Sequence, residues 1–133
     1  SKAVDSYGKE ISLAPGVSRK RVISAETARE LQEILSEAVS EGTGKSAQIP
    51  GYRVGGKTGT AQKPREGGSG YEPGRYVASF VGFAPVEDPS VAAIVIIDEP
   101  KTAIWGGVVA APAFKNIVEF SLRRLKIAPK VAN

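Results

Sequence analysis

A lysine followed by a threonine, a glycine and a second threonine is the run of this sequence whose residue types and spacing could do chemistry. Residues Gly51–Thr58 match the phosphate-binding loop pattern G-x-x-x-x-G-K-[ST]. The overlapping run Lys57–Thr60 reads Lys-Thr-Gly-Thr, which suits the binding of a carboxylate on an exposed strand. The two interpretations predict different ligands, a magnesium nucleotide in the first case and a peptide carboxylate in the second.

The surroundings of the lysine disfavour the nucleotide interpretation. The apolar run Ile94–Ile97 ends in Asp98 and resembles the strand that holds magnesium in phosphate-loop enzymes. Such a loop, however, follows a buried strand and opens a helix, whose N-terminal amides bind the phosphate. Here residues 46–50 form no buried strand, and residues 59–64 lead into a loop rich in glycine and proline that cannot be a stable helix. The alternating strand–helix units of a parallel nucleotide-binding sheet are also missing.

On a strand, the same lysine motif makes chemical sense. Side chains alternate, so Lys57 and Gly59 share one face of the strand. Lys57 supplies positive charge, and Gly59 lets a substrate approach the backbone closely because it has no side chain. The hydroxyls of Thr58 and Thr60 can hydrogen-bond a carboxylate. The amides of an exposed strand can pair with a peptide lying alongside, and one of them can stabilise an oxyanion.

Composition narrows the chemistry further. The 133 residues include no Cys and no His, so acid–base chemistry falls to Lys, carboxylates or Tyr, and no disulfide framework is expected. The net charge of +4 is small, and the basic clusters Arg19–Arg21 and Arg123–Arg124 suit a loop and a helix C-terminus; no nucleic-acid binding is predicted. No apolar run approaches the roughly 20 residues that a membrane span needs. Any membrane contact is therefore expected through a segment absent from this chain.

The pattern of apolar and turn-forming residues predicts an antiparallel sheet packed with helices, an α/β fold of the α+β kind. Short links between the last strands favour antiparallel pairing. The run Val91–Ile97 is apolar on both faces, which predicts a central strand with helices on both sides. The predicted elements are a hairpin of Lys2–Asp5 and Glu10–Leu13, a helix from the Ser24 cap to Gly42 and Gly44, strands Tyr52–Gln62, Tyr76–Phe83 and Val91–Ile97 with a loop over Lys63–Arg75, a loop at Trp105–Gly107, and a helix over Pro112–Leu125.

Helical spacing also predicts which faces enter the core. The first helix should bury Ala28, Leu31, Leu35 and Ala38, widened by Ile34 and Val39, and the last helix Phe114, Ile117, Val118, Ser121, Leu122 and Leu125.

From Val22 onward the sequence resembles the class B penicillin-binding proteins, the monofunctional transpeptidases that cross-link bacterial peptidoglycan. K-T-G is one of three short motifs that penicillin-binding proteins share with class A β-lactamases. The sequence resembles the cell-division subfamily slightly more than the cell-shape (elongation) subfamily. The matching segments, in order and at family-like spacing, are Val22–Ala28, Glu41–Lys45, Val54–Gln62, Tyr76–Pro85, Ile97–Lys101 and Gly106–Phe114.

The resemblance implies a fold, a substrate and a location. Residues 1–133 would be the C-terminal portion of a transpeptidase domain with the penicillin-binding, serine β-lactamase-like fold. The substrate would be the D-alanyl-D-alanine end of a peptidoglycan stem peptide, and β-lactam antibiotics would be inhibitors. No metal or organic cofactor is implied. The intact protein would act on the periplasmic side of the bacterial cytoplasmic membrane, anchored by a segment outside this chain.

The resemblance also assigns roles to single residues. Lys57 supplies positive charge to the active site, and the Thr60 backbone N–H completes the oxyanion hole. Thr58 and Thr60 bind the substrate carboxylate beside Gly59. Trp105 lies in a loop that flanks the site, where it either forms an aromatic wall or simply packs.

Two of the family's three catalytic motifs are missing here. The single match to S-x-x-K, Ser6–Lys9, falls at a predicted hairpin turn, whereas the nucleophile must begin a helix so that the lysine sits beside it. No S-x-N occurs. The resemblance therefore implies a serine-type enzyme as the intact protein, with this chain inactive alone and partnered by the N-terminal part of the same domain. A non-catalytic module that binds peptide or β-lactam reversibly is the alternative.

Overall fold

A computed structural model describes residues 3–4, 10–11 and 20–130 of the chain. Near the start, strand β1 (Ala3–Val4) pairs with strand β2 (Glu10–Ile11) in antiparallel fashion, with Ala3 opposite Ile11. This pairing agrees with the predicted hairpin. Its turn, which contains Ser6, lies outside the described residues.

Helix α1 (Ala25–Ser40) begins and ends where the sequence predicts. The Ser24 side chain accepts a hydrogen bond from the Thr27 backbone N–H at 3.0 Å, which satisfies one of the unpaired amides of the first turn. Past the last turn, the Gly44 N–H donates to the carbonyl oxygen of Ala38 at 3.1 Å. A Cβ at Gly42 would lie 2.7 Å from that same oxygen, so glycine is needed for the chain to turn away here. A single 3-10 turn, Lys45–Ala47, follows.

Three strands form the main sheet: β3 (Gly55–Pro64), β4 (Tyr71–Ala84) and β5 (Val91–Asp98). They lie in the order β3-β4-β5 with antiparallel pairing throughout, as predicted. The prediction that β5 is central and covered on both faces is wrong for the described chain. β4 occupies the centre, and on β5 the residues Ile94 and Ile96 remain 61% and 60% exposed. Helices α1 and α3 both contribute to the buried cluster on the Phe80 face of the sheet. Among the described residues the opposite face is bare, and Val81, Ile94 and Ile96 are exposed there.

Strand boundaries also differ from the prediction. β3 starts at Gly55, and Tyr52 forms only an isolated bridge with Ile49. The loop predicted over Lys63–Arg75 is largely strand, because β3 and β4 continue as a hairpin and only residues 65–70 connect them. Its glycines and prolines are accommodated by a register shift beyond Gln62, where the ladder is irregular.

Two consecutive helices close the chain, α2 (Gly106–Val109) and α3 (Ala111–Arg124). α2 replaces part of the loop predicted at Trp105–Gly107, and Pro112 lies in the first turn of α3 as expected. The Phe114 ring packs on the Phe80 ring of β4 with centroids 4.8 Å apart. The buried cluster that joins the helices to the sheet consists of Val39, Ala47, Ile49, Val54, Phe80, Ala84, Ala110, Ala111, Phe114, Val118 and Leu122.

The helix faces predicted to enter the core do so only in part. On α1, Leu31 and Ile34 are 45% and 59% exposed, and the buried residues are Ser36 and Val39. Ser36 tolerates burial because its hydroxyl oxygen accepts a hydrogen bond from the Arg53 guanidinium. The remaining predicted core residues that are exposed are Ile117 and Leu125 on α3. Both helices thus turn apolar side chains away from the described core.

None of the helices within the described part of the chain has the length and apolar character to cross a membrane.

Substituting Phe114 with Ala should lower the free energy of unfolding by about 3–5 kcal/mol, because it empties a fully buried site against Phe80. Phe120→Ala is the matched control, since it removes the same ring from the same helix at a position that is 70% exposed. Denaturant unfolding of the three proteins measures the difference. Equal losses for the two variants would contradict the assignment of the core.

Candidate functional site

Strand β3 places the run Lys57–Thr60 at the outer edge of the sheet. Thr58 lies opposite Phe80 of β4, and Gly59 lies opposite Ser79. Directly opposed residues share a face, so Thr58 and Thr60 lie on the face that carries the helices. Lys57 and Gly59 share the bare face; the sequence predicts that these two share a face, but not which one. The phosphate-loop interpretation is wrong, because the lysine lies inside a strand and the next helix of the described chain begins only at Gly106.

Lys57 is exposed, and its ammonium group donates only to a neighbouring carbonyl, the oxygen of Thr58 at 3.1 Å. Among residues 20–130 no carboxylate forms an ion pair with it, whereas Arg53, Lys63 and Arg75 each pair with acidic side chains. Within the described part of the chain, Lys57 thus presents a positive charge without an acidic partner at the edge of the sheet, where an anionic ligand can reach it.

Both threonine hydroxyls of the motif are held by other segments of the chain. The Thr58 hydroxyl lies 2.9 Å from the hydroxyl of Thr43, in the loop after α1. The Thr60 hydroxyl oxygen accepts a hydrogen bond from the Gly106 backbone N–H at 3.3 Å, at the start of α2. A hydroxyl has one hydrogen and two acceptor positions. Since Thr60 uses an acceptor position here, its hydrogen remains available for a ligand oxygen, and the same holds for Thr58 when Thr43 donates to it.

Glycines allow these segments to meet. A Cβ at Gly59 would lie 2.4 Å from the Ser79 hydroxyl oxygen, and one at Gly106 would lie 2.1 Å from the Ser79 carbonyl oxygen. At Gly107 a Cβ would lie 2.3 Å from the carbonyl oxygen of Thr43. Real Cβ atoms do not approach other atoms this closely, so only glycine permits α2 to start directly against β3, β4 and the Thr43 loop.

Trp105 precedes Gly106 and begins α2. Its carbonyl oxygen accepts hydrogen bonds from the amides of Val108 and Val109 at 2.9 and 3.1 Å. Its side chain is 61% exposed. Its predicted role as an aromatic wall stays a prediction.

An ionic cluster of Lys63, Arg75, Asp98 and Glu99 lies at the far end of β3. The Lys63 ammonium is 2.7 Å from an Asp98 carboxylate oxygen and 2.8 Å from a Glu99 carboxylate oxygen, and Arg75 Nε donates to that same Glu99 oxygen at 2.7 Å. Hydrogen bonds from Lys63 and then Arg75 lower the pKa of Glu99 to about 2, and the two carboxylates raise the pKa of Lys63. Within the described residues, no group of acidic side chains has the arrangement to hold a metal ion.

Sequence reasoning located the strand motif but missed two groups that hold it. Thr43 was part of a segment noted only for its family pattern and the glycines that end α1. Gly106 was expected in a flanking loop, not as an amide donor to Thr60. In the sequence, the one indication of either contact is the neighbouring glycines. They indicate that another segment comes close to the backbone, but not which segment it is.

Gly106→Ala should destabilise the protein by about 1–3 kcal/mol, because the added methyl group collides with two backbone carbonyl oxygens and must displace α2 from β3. Gly68→Ala is the control, since a Cβ there meets no atom within 4 Å. Thermal unfolding measures the stability, and amide hydrogen exchange at Gly106 reports the lost bond to Thr60. A Gly106 variant as stable and as protected as the control would contradict the close packing.

Comparisons with known proteins agree with this geometry. The family model described as the penicillin-binding protein transpeptidase domain matches residues 2–119. Stage V sporulation protein D of Bacillus subtilis is 45% identical over 92% of this chain, and a probable peptidoglycan D,D-transpeptidase PenA of Neisseria flavescens is 43% identical over 83%. The chain spans 19% and 28% of the lengths of these two relatives.

Solved structures show the same relationship. The transpeptidase domain of Burkholderia pseudomallei penicillin-binding protein 3 superposes with a TM-score of 0.77 at 42% identity, over 92% of this chain and 38% of that one. Penicillin-binding protein 3 of Mycobacterium tuberculosis, solved in complex with ampicillin, gives a TM-score of 0.79 at 31% identity, over 98% of this chain and 31% of that one. On sequence and on structure, the chain belongs to the penicillin-binding protein transpeptidase domain family.

Proposed function

We propose that this chain is the carboxylate-binding part of a peptidoglycan D,D-transpeptidase that works through an acyl-serine intermediate and is acylated by β-lactams. The observation that carries the proposal is the edge strand β3, on which Lys57 is exposed without an acidic partner among residues 20–130 and two threonine hydroxyls are held in place from behind. Relatives named as peptidoglycan D,D-transpeptidases support the reaction type, and the ampicillin complex of a structural neighbour supports the ligand class.

Substrate binding would use the groups of β3 in turn. The C-terminal carboxylate of the stem peptide accepts hydrogen bonds from the hydroxyls of Thr58 and Thr60, and Lys57 contributes electrostatic attraction. Gly59 leaves room for the peptide to lie close to the strand. Because each hydroxyl is already oriented by a partner, little side-chain freedom has to be lost when the carboxylate binds. Trp105 would then border the bound peptide.

The acyl transfer requires a serine that this chain does not supply. The serine oxygen attacks the carbonyl carbon of the penultimate D-alanine and gives up its proton to a base. The Thr60 backbone N–H helps to stabilise the negative oxygen of the tetrahedral intermediate. The peptide C–N bond then breaks, and terminal D-alanine leaves with a proton. An amine of a second stem peptide attacks the resulting ester, forms the cross-link and releases the serine. These reaction steps balance without a metal or a redox cofactor.

The remaining part of the domain is the proposed partner. The sequence contains no S-x-N, and its single S-x-x-K match falls at a predicted hairpin turn. We propose that residues 1–133 form the C-terminal portion of the domain and are inactive alone. Exposed apolar side chains on the bare sheet face and on the outer faces of both helices support this, because contiguous exposed apolar surface marks an interface. These side chains are Val81, Ile94 and Ile96 on the sheet, Leu31 and Ile34 on α1, and Ile117, Phe120 and Leu125 on α3.

The substrate fixes the proposed location. Peptidoglycan is cross-linked outside the cytoplasmic membrane, so we place the active protein on the periplasmic side, held there by a segment outside this chain. Names such as FtsI and stage V sporulation protein D among the relatives link the family to cell-wall synthesis at division and sporulation. We propose the division-type role for the intact protein.

Labelling with a fluorescent penicillin tests the proposal. The chain is mixed with a separately produced N-terminal part of the domain, and a denaturing gel then separates the two pieces. We expect covalent label on the N-terminal piece only when both pieces are present, and none on this chain alone. Binding that is reversible and leaves no label on either piece would instead favour the non-catalytic module. Label on this chain itself would contradict the exclusion of Ser6 as the nucleophile.

Lys57→Ala in the complete protein should slow acylation by penicillin by on the order of 10²-fold, because it removes the charge that attracts the carboxylate and stabilises developing negative charge. Stopped-flow or gel-based measurement of the second-order rate constant gives the value. The control is Lys130→Ala, an exposed lysine beyond α3. Unchanged acylation in the Lys57 variant would refute the role of the strand.

A further inference from the structure

The backbone ladder between β3 and β4 lapses just beyond the functional run. Gln62 is still paired with Tyr76, but the next paired residues are Pro64 and Tyr71. Residues 72–75 of β4 therefore lie opposite Lys63 alone, and they include Pro73, which has no N–H to donate. Between these two pairs, main-chain pairing does not join β3 to β4.

Side-chain hydrogen bonds and ion pairs connect the strands where the backbone ladder is interrupted. The Gln62 side-chain amide donates to the carbonyl oxygen of Glu72 at 2.9 Å, across the irregular stretch. Lys63 reaches over to the end of β5, where Asp98 and Glu99 accept from it at 2.7 and 2.8 Å. Arg75, from the irregular part of β4, donates to the Glu99 carboxylate as well. All three strands are joined at Glu99.

The backbone conformation of Glu99 directs its carboxylate towards Lys63 and Arg75. Its φ is +49°, in the left-handed region that costs energy for a residue with a Cβ. Its N–H donates to the carbonyl oxygen of Tyr76 at 2.9 Å, which anchors it to β4. The segment that begins at Glu99 leads directly to Trp105 and Gly106, and Gly106 holds the Thr60 hydroxyl. Glu99 therefore secures both the end of β3 and the segment that buttresses Thr60.

We infer that Glu99, acting through Lys63 and Arg75, is a positioning residue that aligns the threonine hydroxyls of β3 for the substrate carboxylate. The inference rests on the proposed function and adds a residue to it. Glu99 does not touch the substrate. Its effect is transmitted at two points, the far end of β3 and the Gly106 amide, so its loss should allow Thr58 and Thr60 to drift relative to each other.

The test uses the complete protein and two forms of one ligand, benzylpenicillin and its methyl ester. Glu99→Gln keeps the shape of the side chain and removes its charge. We expect the second-order acylation rate constant for benzylpenicillin to fall by about tenfold or more, as misplaced binding groups cost rate. For the ester, whose carboxylate is masked, the same substitution should change the rate by less than about twofold, because the ester makes little use of the aligned hydroxyls.

Glu33→Gln is the matched control. Glu33 of α1 forms an ion pair with Arg53, which precedes β3, and its side chain is 60% exposed. This variant should leave acylation by both ligands unchanged. Lys63→Gln removes the same ion pair from the other partner and should also slow acylation by benzylpenicillin far more than acylation by the ester. It tests the inference even if the Glu99 variant fails to fold.

Two results would overturn the inference while the proposed function stands. In the first, wild type is acylated normally and the Glu99 and Lys63 variants match it. In the second, the variants slow the acid and the ester equally, which is the pattern of a general loss of structure. A wild-type protein that penicillin does not acylate would overturn the proposed function, and the inference with it.

Discussion

The close approach of Gly106 to β3 and β4 is the contact on which the site depends. The backbone at the start of α2 comes so near the carbonyl oxygens of Gly59 and Ser79 that no side chain fits between them. Only this approach brings the Gly106 amide to Thr60 and leaves space for Thr43 to reach Thr58. Segments far apart in the sequence thus converge behind one strand, and the strand presents their combined geometry at its edge. The positions of the site's side chains therefore depend on how closely these backbone segments pack.

The hydrophobic core lies on one face of the sheet only, among the described residues. Helices α1 and α3 bury Phe80 and Phe114 against the same sheet face, with the aromatic contact at its centre. On the opposite face Val81, Ile94 and Ile96 are more than half exposed, so they gain only part of the roughly 25 cal/mol per Å² that burial provides. Conformational entropy must be offset for every ordered residue. A one-sided core offsets it poorly, which is consistent with a chain that spans 19% of its sporulation relative.

The sequence predicted what depends on local pattern and failed where distant segments decide. The Ser24 cap, the antiparallel strands and the alternation of Lys57 with Thr58 follow from spacing, and the structure agrees. The apolar stripe of α1 is present as predicted, but burial depends on which distant segments pack against it, and Ile34 is 59% exposed among the described residues. The all-apolar strand β5 failed for the same reason. Thr43 could not be predicted at all, because nothing at its own position indicates its partner.

Charge is divided between two lysines six positions apart on the same strand. Lys63 is neutralised by two carboxylates, while Lys57 has no such partner among residues 20–130. An ion pair at the distal end can hold the strand without adding net field at the site, since a compensated charge exerts little force at a distance. Hydrogen bonds from Lys63 and Arg75 lower the pKa of Glu99 to about 2, so that this carboxylate stays charged, and the compensation stays in place, below pH 4.5 as well as at neutral pH. Unfolding returns the Glu99 pKa to its ordinary value near 4.5, so the stabilisation is complete above that pH and is lost as pH falls towards 2.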